Sequence, residues 1–266
     1  MKNQWDKDVQ NDRIVGYLPN LNNIEVNRIM KLMEQDSPGK FIIYTLSKYK
    51  DILLNLGFSL ESKLSGFFHG DEALIFTKYH QKDRLLSKTA KENKEVLSIV
   101  KGDTKEPCEM THGFQIELVK DVELEELARL FQTVFPIYPT NIFDPDYLQK
   151  VKDSEEYMFM VAKDDNGIIG AASAMNTGYQ SAEITDCAVH PDYRGKNLLN
   201  AIVMAIEKEL VKKRIYHSFS LTRAKSVGMN MTVKRLNYRY EGTLINNCII
   251  STGFEDMNIW TKKLKG

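Results

Sequence analysis

The stretch of this chain best suited to chemistry is residues 182–204, AEITDCAVHPDYRGKNLLNAIVM. It reads as a half-buried strand, a sharp turn marked by Pro191, a short cationic segment with one glycine, and an amphipathic helix. A strand feeding such a turn aims backbone N–H groups and the positive end of a helix at one point, which suits a phosphate or pyrophosphate. Other chemistries find less material. The five His are scattered without metal-ligand spacing, so no metal is expected. Cys108, Cys187 and Cys248 are widely spaced and form no CxxC pair, which predicts reduced, buried thiols and neither a disulfide framework nor a zinc site.

The elements that must position this stretch follow from periodicity. From Phe114 the pattern is mixed α/β. "FQIELV" is a strand, and Leu124, Leu127, Leu130, Phe131 and Val134 share one helix face. "FPIYPTNIFDP" is a Pro-rich loop with aromatics. "YMFMVAK" and "IIGAASAMN" are strands joined by "DDNG", where Asn-Gly accepts positive φ. After the strand "AEITDCAV", Leu198, Leu199, Ile202, Val203, Ile206 and Leu210 stripe a helix that runs to about Lys213. "IYHSFSL" is a strand, "KSVGMNMTVKRLN" a shorter helix, and "YRYEGTLIN" and "MNIWTKKL" the last strands.

Earlier in the chain, "NRIMKLMEQD" is a helix broken by Pro38 and Gly39, and "KFIIYTL" a buried strand. "KYKDILLNLGF" is a helix stopped at Gly57, followed by the strands "SLESKLSGFF" and "EALIFTKY" around a turn at residues 69–71. Residues 82–101 are charged and helical. Gly102, Pro107 and Gly113 mark a linker over 101–113, dividing the chain into 1–100 and 114–266. A repeat crosses that boundary. "FIIYTLSKYKDILLNLGFSLESKL…HGDEALIFTK" can be laid on "SFSLTRAKSVGMNMTVKRLNYRYEGTL…GFEDMNIWTK", both giving strand, helix, strand and a strand ending in Thr-Lys. The first copy shows no counterpart of residues 182–204, and reads as a degenerate half that packs on, and helps shape, the complete one.

Bulk properties narrow the function. Lys+Arg and Asp+Glu are both 36, and this neutral balance argues against a nucleic-acid partner. No apolar run is long enough to cross a membrane, and "MKNQWDKDVQ" has no apolar segment of the signal-peptide kind, so a cytoplasmic protein is expected. A homodimer stays open.

The order of elements over 114–264, and above all "AVHPDYRGKNLL", resembles the GNAT acetyltransferase superfamily. That family carries Arg or Gln, two variable residues, Gly, a variable residue and Gly or Ala in this turn. Here the positions are Arg194, Gly195, Lys196, Asn197, Leu198 and Leu199. Asn197 replaces the expected Gly and Leu199 the expected Gly or Ala. Asn is the non-Gly residue that most easily turns left-handed. "GMNMTVKRLNYRYEGTLINN…GFEDMNIW", with an N-terminal extension of this length, is similar to the β-lysine N-acetyltransferases.

The resemblance implies a GNAT fold, a mostly antiparallel splayed sheet flanked by helices, preceded by a smaller α/β half. It implies acetyl-CoA as cosubstrate and transfer of its acetyl group to the ε-amine of β-lysine, giving a compatible solute. Residues 194–199 would hold the CoA pyrophosphate. Cys187, Ala188 and Val189 would offer main chain to the pantetheine arm and the thioester. Glu183 is the first candidate for general base, since an alkyl ammonium with a pKa near 10.4 must lose a proton. Asp186 is the second; in a regular strand it faces the other way. Ser226 falls at a polar CoA-contacting position, with Asn230 one turn later. The family's usual Tyr donor to the thiolate falls on Val233, leaving Tyr238 and Tyr240 as neighbours. An amino-acid acceptor would meet Asn246, Asn247, Glu255 and Asp256 in the last hairpin, or Tyr138 and Asn141 in the Pro-rich loop. The alternatives are another small amine, such as lysine or a polyamine, and a CoA-binding regulatory module without turnover.

Overall fold

Branched and aromatic runs, most of them buried on both faces, build strands that pair into two sheets. The computed structural model describes residues 1–105, 113–250 and 253–265. Among them, one sheet contains β1 (Gln4–Asp8), β2 (Arg13–Leu18), β3 (Lys40–Thr45), β4 (Ser59–Phe68) and β5 (Asp71–Tyr79), in the order β1-β2-β3-β5-β4. The other contains β6 (Gln115–Leu118), β7 (Tyr157–Asp164), β8 (Gly167–Asn176), β9 (Ser181–Val189), β10 (His217–Arg223), β11 (Arg239–Ile250) and β12 (Gly253–Lys263), in the order β11-β12-β10-β9-β8-β7-β6. The helices are α1 (Asn23–Gln35), α2 (Lys50–Asn55), α3 (Ala90–Gly102), α4 (Leu124–Val134), α5 (Pro145–Asp153), α6 (Leu198–Lys212) and α7 (Val227–Arg235). No helix among the described residues is long and apolar enough to cross a membrane. Cys108 and most of the 101–113 linker lie outside the described residues.

The repeat reaches further than its sequence pattern. The order β1-β2-β3-β5-β4 repeats β8-β9-β10-β12-β11, strand for strand. β2 and β3 are parallel with α1 between them, as β9 and β10 are parallel with α6 between them. The expectation that the first copy lacks a counterpart of residues 182–204 is therefore overturned: β2 and α1 stand in that place. The pattern was hidden because α1 does not keep the anion-binding chemistry. Asn22 caps it, accepting from the Glu25 N–H at 3.1 Å, and Glu25 puts negative charge in its first turn.

Three elements had no expectation. β1 and β2 form a hairpin at the N-terminus, and α5 follows the Pro-rich loop, capped by Asp144 with Pro145 at its first position. The 82–101 helix is shorter than its charge pattern suggests, starting at Ala90.

Helix α6 lays Leu198, Ile202, Val203, Ile206 and Leu210 on one face of the larger sheet. α4 and α5 cover part of the opposite face with Leu127, Phe131 and Leu148. The rest of that opposite face is covered by the smaller sheet itself. Val15, Ile42, Tyr44, Phe67 and Ile75 share one apolar core with Tyr179, Phe219, Leu244 and Ile259. The approach is close: a Cβ at Gly66 would sit 2.0 Å from the His217 ring. α1 and α2 close the far side of the smaller sheet over Ile14, Phe41 and Phe76. The two halves are thus packed face to face, with the α4 side leaving a gap beside β9.

Candidate active site

The gap begins where β9 leaves β10. The two strands pair only from Ser181 to Glu183 against His217 to Phe219. The Ser220 hydroxyl reaches the Ile184 carbonyl at 2.8 Å, and beyond it both strands continue unpaired with each other. On its other side β9 stays paired to β8, where His190 donates its N–H to Ile169 at 2.9 Å. N–H directions alternate along a strand, so Val189 turns its donor to the open side. Ala188, opposite Ala171, turns its main chain to β8, and its side chain is fully buried. Of the three expected main-chain contacts, Cys187 and Val189 line the gap and Ala188 does not.

The turn after β9 is shaped by two left-handed residues, Gly195 at φ +79° and Asn197 at φ +56°. Asn197 thus takes the conformation the family's Gly would take, and α6 starts on the next residue. Its side chain makes no capping hydrogen bond, and no acidic residue occupies the first turn of α6. The first N–H groups of the helix are left for a ligand, which is the condition a pyrophosphate needs. Arg194, Gly195, Asn197, Leu198 and Leu199 line the gap there. Lys196 does not; its ammonium lies 4.5 Å over the Tyr193 ring. Ser226 lines the gap and caps α7 by accepting from Met229 N–H.

Asn230 is no CoA contact. It is fully buried, and its Oδ1 accepts from Thr222, Asn258 and Trp260 at 2.8–2.9 Å while its Nδ2 donates to the Arg223 and Ser226 carbonyls. Every polar atom is committed to tying α7 to β10 and β12. Val233 is core, Tyr238 is buried on Ser218, and Tyr240 bonds Thr243, so none of these supplies a hydroxyl to the gap.

The gap and the space past β9 together form one cavity of about 1300 Å³. That exceeds the roughly 300–1,000 Å³ of an ordinary ligand pocket, leaving room for a second reactant beside a cofactor. Glu183 lies on its wall. Burial, with the nearby Asp186 charge adding to it, pushes the Glu183 carboxyl up to about 8, while Arg13 pulls it down. Such a group is far better matched to an alkyl ammonium than an exposed carboxylate is.

Asp186 was expected on the opposite face from Glu183. A bulge in β9 opposite Ala172 overturns this, with Asp186 at φ +50°. Asp186 and Thr185 both hydrogen-bond Tyr138, and Ser173 donates to Asp186. The bulge therefore brings Asp186 round to the side of Thr185 and Glu183. Asp186 is buried, lines the cavity beside Glu183, is held by Ser173, Thr185 and Tyr138, and its charge raises Glu183.

The expected acceptor residues divide. Tyr138 and Asn247 line the cavity, and so does Thr140, next to Asn141. The Asn247 Oδ1 and Thr140 Oγ1 are buried without a hydrogen-bond partner. Asn141 itself is turned to Asp144 at 3.0 Å, on the surface. Asn246 donates to the Arg84 and Leu86 carbonyls, and Asp256 accepts from Asn246 N–H, Asn93 and Ser87. Glu255 pairs with Arg223 at 2.7 Å and Lys225 at 2.6 Å. These three join the halves or brace the hairpin and lie off the main cavity.

The residues missed are those of the smaller sheet. Arg13, Val15 and Tyr17 of β2 and Ile42 and Tyr44 of β3 line the cavity opposite Glu183. β11 is held to this sheet at a bulge between Leu244 and Cys248. The Ile245 N–H donates to Glu61, and the Ile245 carbonyl accepts from buried Lys40 at 2.9 Å. Burial brings Lys40 down to about 8, against the pull of Glu61. Cys187 and Cys248 are unbridged and both line the cavity, with burial holding Cys187 up as a neutral thiol. Among the described residues no cluster of three His, Cys, Asp or Glu side chains could hold a metal.

The chain is similar to known proteins. The model of the acetyltransferase (GNAT) family matches residues 124–229. The N-acetyltransferase YodP of Bacillus subtilis is 34% identical over 237 residues, 89% of this chain and 86% of that protein. A beta-lysine N(6)-acetyltransferase of Methanococcus maripaludis is 33% identical over 217 residues, 80% of this chain and 78% of that one. Among solved structures, a Salmonella typhimurium protein with its cofactor acetyl-CoA aligns with a TM-score of 0.51 at 13% identity, over 58% of this chain and 95% of that one, which shows the shared fold. The chain belongs to the acetyltransferase (GNAT) family and is an acetyl-CoA-dependent N-acetyltransferase.

Proposed function

We propose that this enzyme transfers the acetyl group of acetyl-CoA to the side-chain amine of β-lysine. The observation that carries the reading is the extent of the likeness to the Methanococcus β-lysine enzyme. The family model spans only residues 124–229, whereas that likeness is too long to fit in the C-terminal half alone. It must reach into the smaller sheet, to β4 and β5 at least, and β2 and β3 of that same sheet line the acceptor end of the cavity. In this reading residues 194–199 and the start of α6 hold the CoA pyrophosphate. The Val189 N–H polarises the thioester carbonyl. Glu183 takes the ammonium proton, and the neutral amine attacks. The tetrahedral adduct loses the second nitrogen proton to solvent, its C–S bond breaks to give the amide, and the departing thiolate is protonated from solvent.

The test is CoA release from acetyl-CoA with β-lysine, lysine, spermidine and a basic peptide, with the acetylated nitrogen located by NMR. The expected result is the highest kcat/KM for β-lysine and acetylation at its ε nitrogen. Preference for spermidine or for the peptide overturns the reading, as does acetylation at the β-amine.

A further inference from the structure

The wall opposite Glu183 carries a charge pattern that the acetyl-transfer chemistry does not use. On β2, Arg13, Val15 and Tyr17 are alternate residues and share the cavity face. Across the β1–β2 pair, Asp8 stands opposite Arg13 and Asp6 opposite Val15, and both aspartates line the same cavity. One cation and two carboxylates thus face the amine-activating glutamate from the other half of the molecule.

Arg13 is pinned but not used up. Its Nε donates to Asp8 at 2.8 Å and its Nη1 to the Asn247 carbonyl at 2.9 Å. Nη2 takes no hydrogen-bond partner among the described residues. The side chain is 19% exposed, and the residue lines the cavity. Asp8 is occupied by Arg13 and by the Asn11 N–H and side-chain amide. Asp6 has no hydrogen-bond partner among the described residues, and burial together with Asp8 raises its carboxyl. Asn247, which holds Arg13, keeps its own Oδ1 unpartnered. A fixed guanidinium with a free edge takes a carboxylate, and a free carboxylate beside it takes an ammonium.

We propose that Arg13 and Asp6 form a subsite for the zwitterionic head of an amino-acid acceptor, Arg13 taking its carboxylate and Asp6 its backbone-side ammonium. This rests on the reading of the acceptor as a small amino acid. It deepens that reading by assigning selection of the acceptor to the smaller sheet, while the larger sheet keeps the thioester. The wall between the two ends holds Tyr17 and Tyr44, whose rings are 4.9 Å apart and whose phenols burial keeps neutral. It suits the methylene chain of an acceptor whose amine must reach Glu183.

The experiment compares the amino-acid acceptor with the diamine that carries hydrogen in place of its carboxylate, using full-length wild type, Arg13→Gln and Asp6→Asn. In wild type the amino acid is the better substrate. Arg13→Gln should lower the ratio of the two kcat/KM values about 30-fold, mostly through KM of the amino acid, as expected for one lost charged hydrogen-bond pair. Asp6→Asn removes no hydrogen bond of the fold and should raise KM for the amino acid about tenfold with an unchanged thermal midpoint. Ratios equal to wild type in both variants overturn the subsite while leaving β-lysine as acceptor. A wild type that favours the diamine overturns the amino-acid reading and the subsite with it.

Discussion

Glu183→Gln removes the proposed base with almost no change of shape, so its consequences can be worked from the structure. With the carboxyl raised to about 8, about one-tenth of Glu183 is ionised at pH 7 and about nine-tenths at pH 9. If the ionised form takes the proton, wild-type kcat/KM should rise about tenfold between those values. The limb ends where the acceptor ammonium itself titrates, near pH 10.4. In Glu183→Gln the limb near 8 should vanish and kcat/KM should fall by about 10²–10⁴. The assay is the initial rate of CoA release at low acceptor concentration from pH 6 to 10. Stability supplies a second readout with a definite sign. The folded-state value lies above the ordinary 4.5, so the native chain binds this proton more tightly than the unfolded one. That stabilisation is complete below pH 4.5 and is lost as pH rises through about 8. The variant carries no such penalty and should melt higher than wild type at pH 9, with the difference shrinking toward pH 5. A variant that keeps the limb near 8 would refute the assignment of Glu183 as base.

Asn230→Ala should leave KM for acetyl-CoA within about twofold while lowering stability by about 3 kcal/mol in denaturant unfolding, because it strands three buried donors; a large rise in KM with unchanged stability would contradict its structural role. Asn197→Gly should keep wild-type KM for acetyl-CoA, whereas Asn197→Val, which resists φ +56°, should raise it about tenfold or more by deforming the start of α6; equal KM values would show that the turn does not hold the cofactor. Calorimetric titration should find one acetyl-CoA per chain despite the repeat. β2 and β3 stay paired from Arg13 to Leu18, so the first copy offers no splayed edge, and Glu25 repels a phosphate at its helix. Two equivalent sites would refute that reasoning.

Residues 182–204 were legible because their chemistry is local. A strand, a left-handed turn and an uncapped helix are all written within one short stretch, and Asn197 could be judged from its own conformational tolerance. Asp186 was misplaced because period-two alternation holds only for a regular ladder, and nothing in "AEITDCAV" announces the bulge. Asn230 was misassigned for a different reason. Its face of α7 is set by Thr222, Asn258 and Trp260, which come from two other strands. Asn246, Glu255 and Asp256 look like an exposed hairpin, but residues 84–93 bond Asn246 and Asp256 while Arg223 and Lys225 hold Glu255, so all three are turned to bracing. Arg13 gave no signal because its place on the cavity wall depends on a sheet packed across more than two hundred residues of sequence.

The duplicated architecture explains why the acceptor residues are the least legible. Both copies provide a parallel strand pair with a helix between, but only one pair opens. In the second copy β9 parts from β10 after three residue pairs and exposes main chain to a thioester. In the first copy β2 and β3 remain paired along six, and the strand pair becomes a rigid wall. A wall has no local motif, since its contribution is the row of side chains it presents at fixed spacing, Arg13, Val15 and Tyr17, toward the opening in the other copy. Closure of one pair and opening of the other are complementary. The unopened sheet can pack flat on β10, β11 and β12 through Phe67, Leu244 and Ile259, and this packing sets the distance between the guanidinium and the glutamate. In the proposed reading, selection of the amine and activation of the amine sit on two sheets whose spacing is fixed by a shared apolar core.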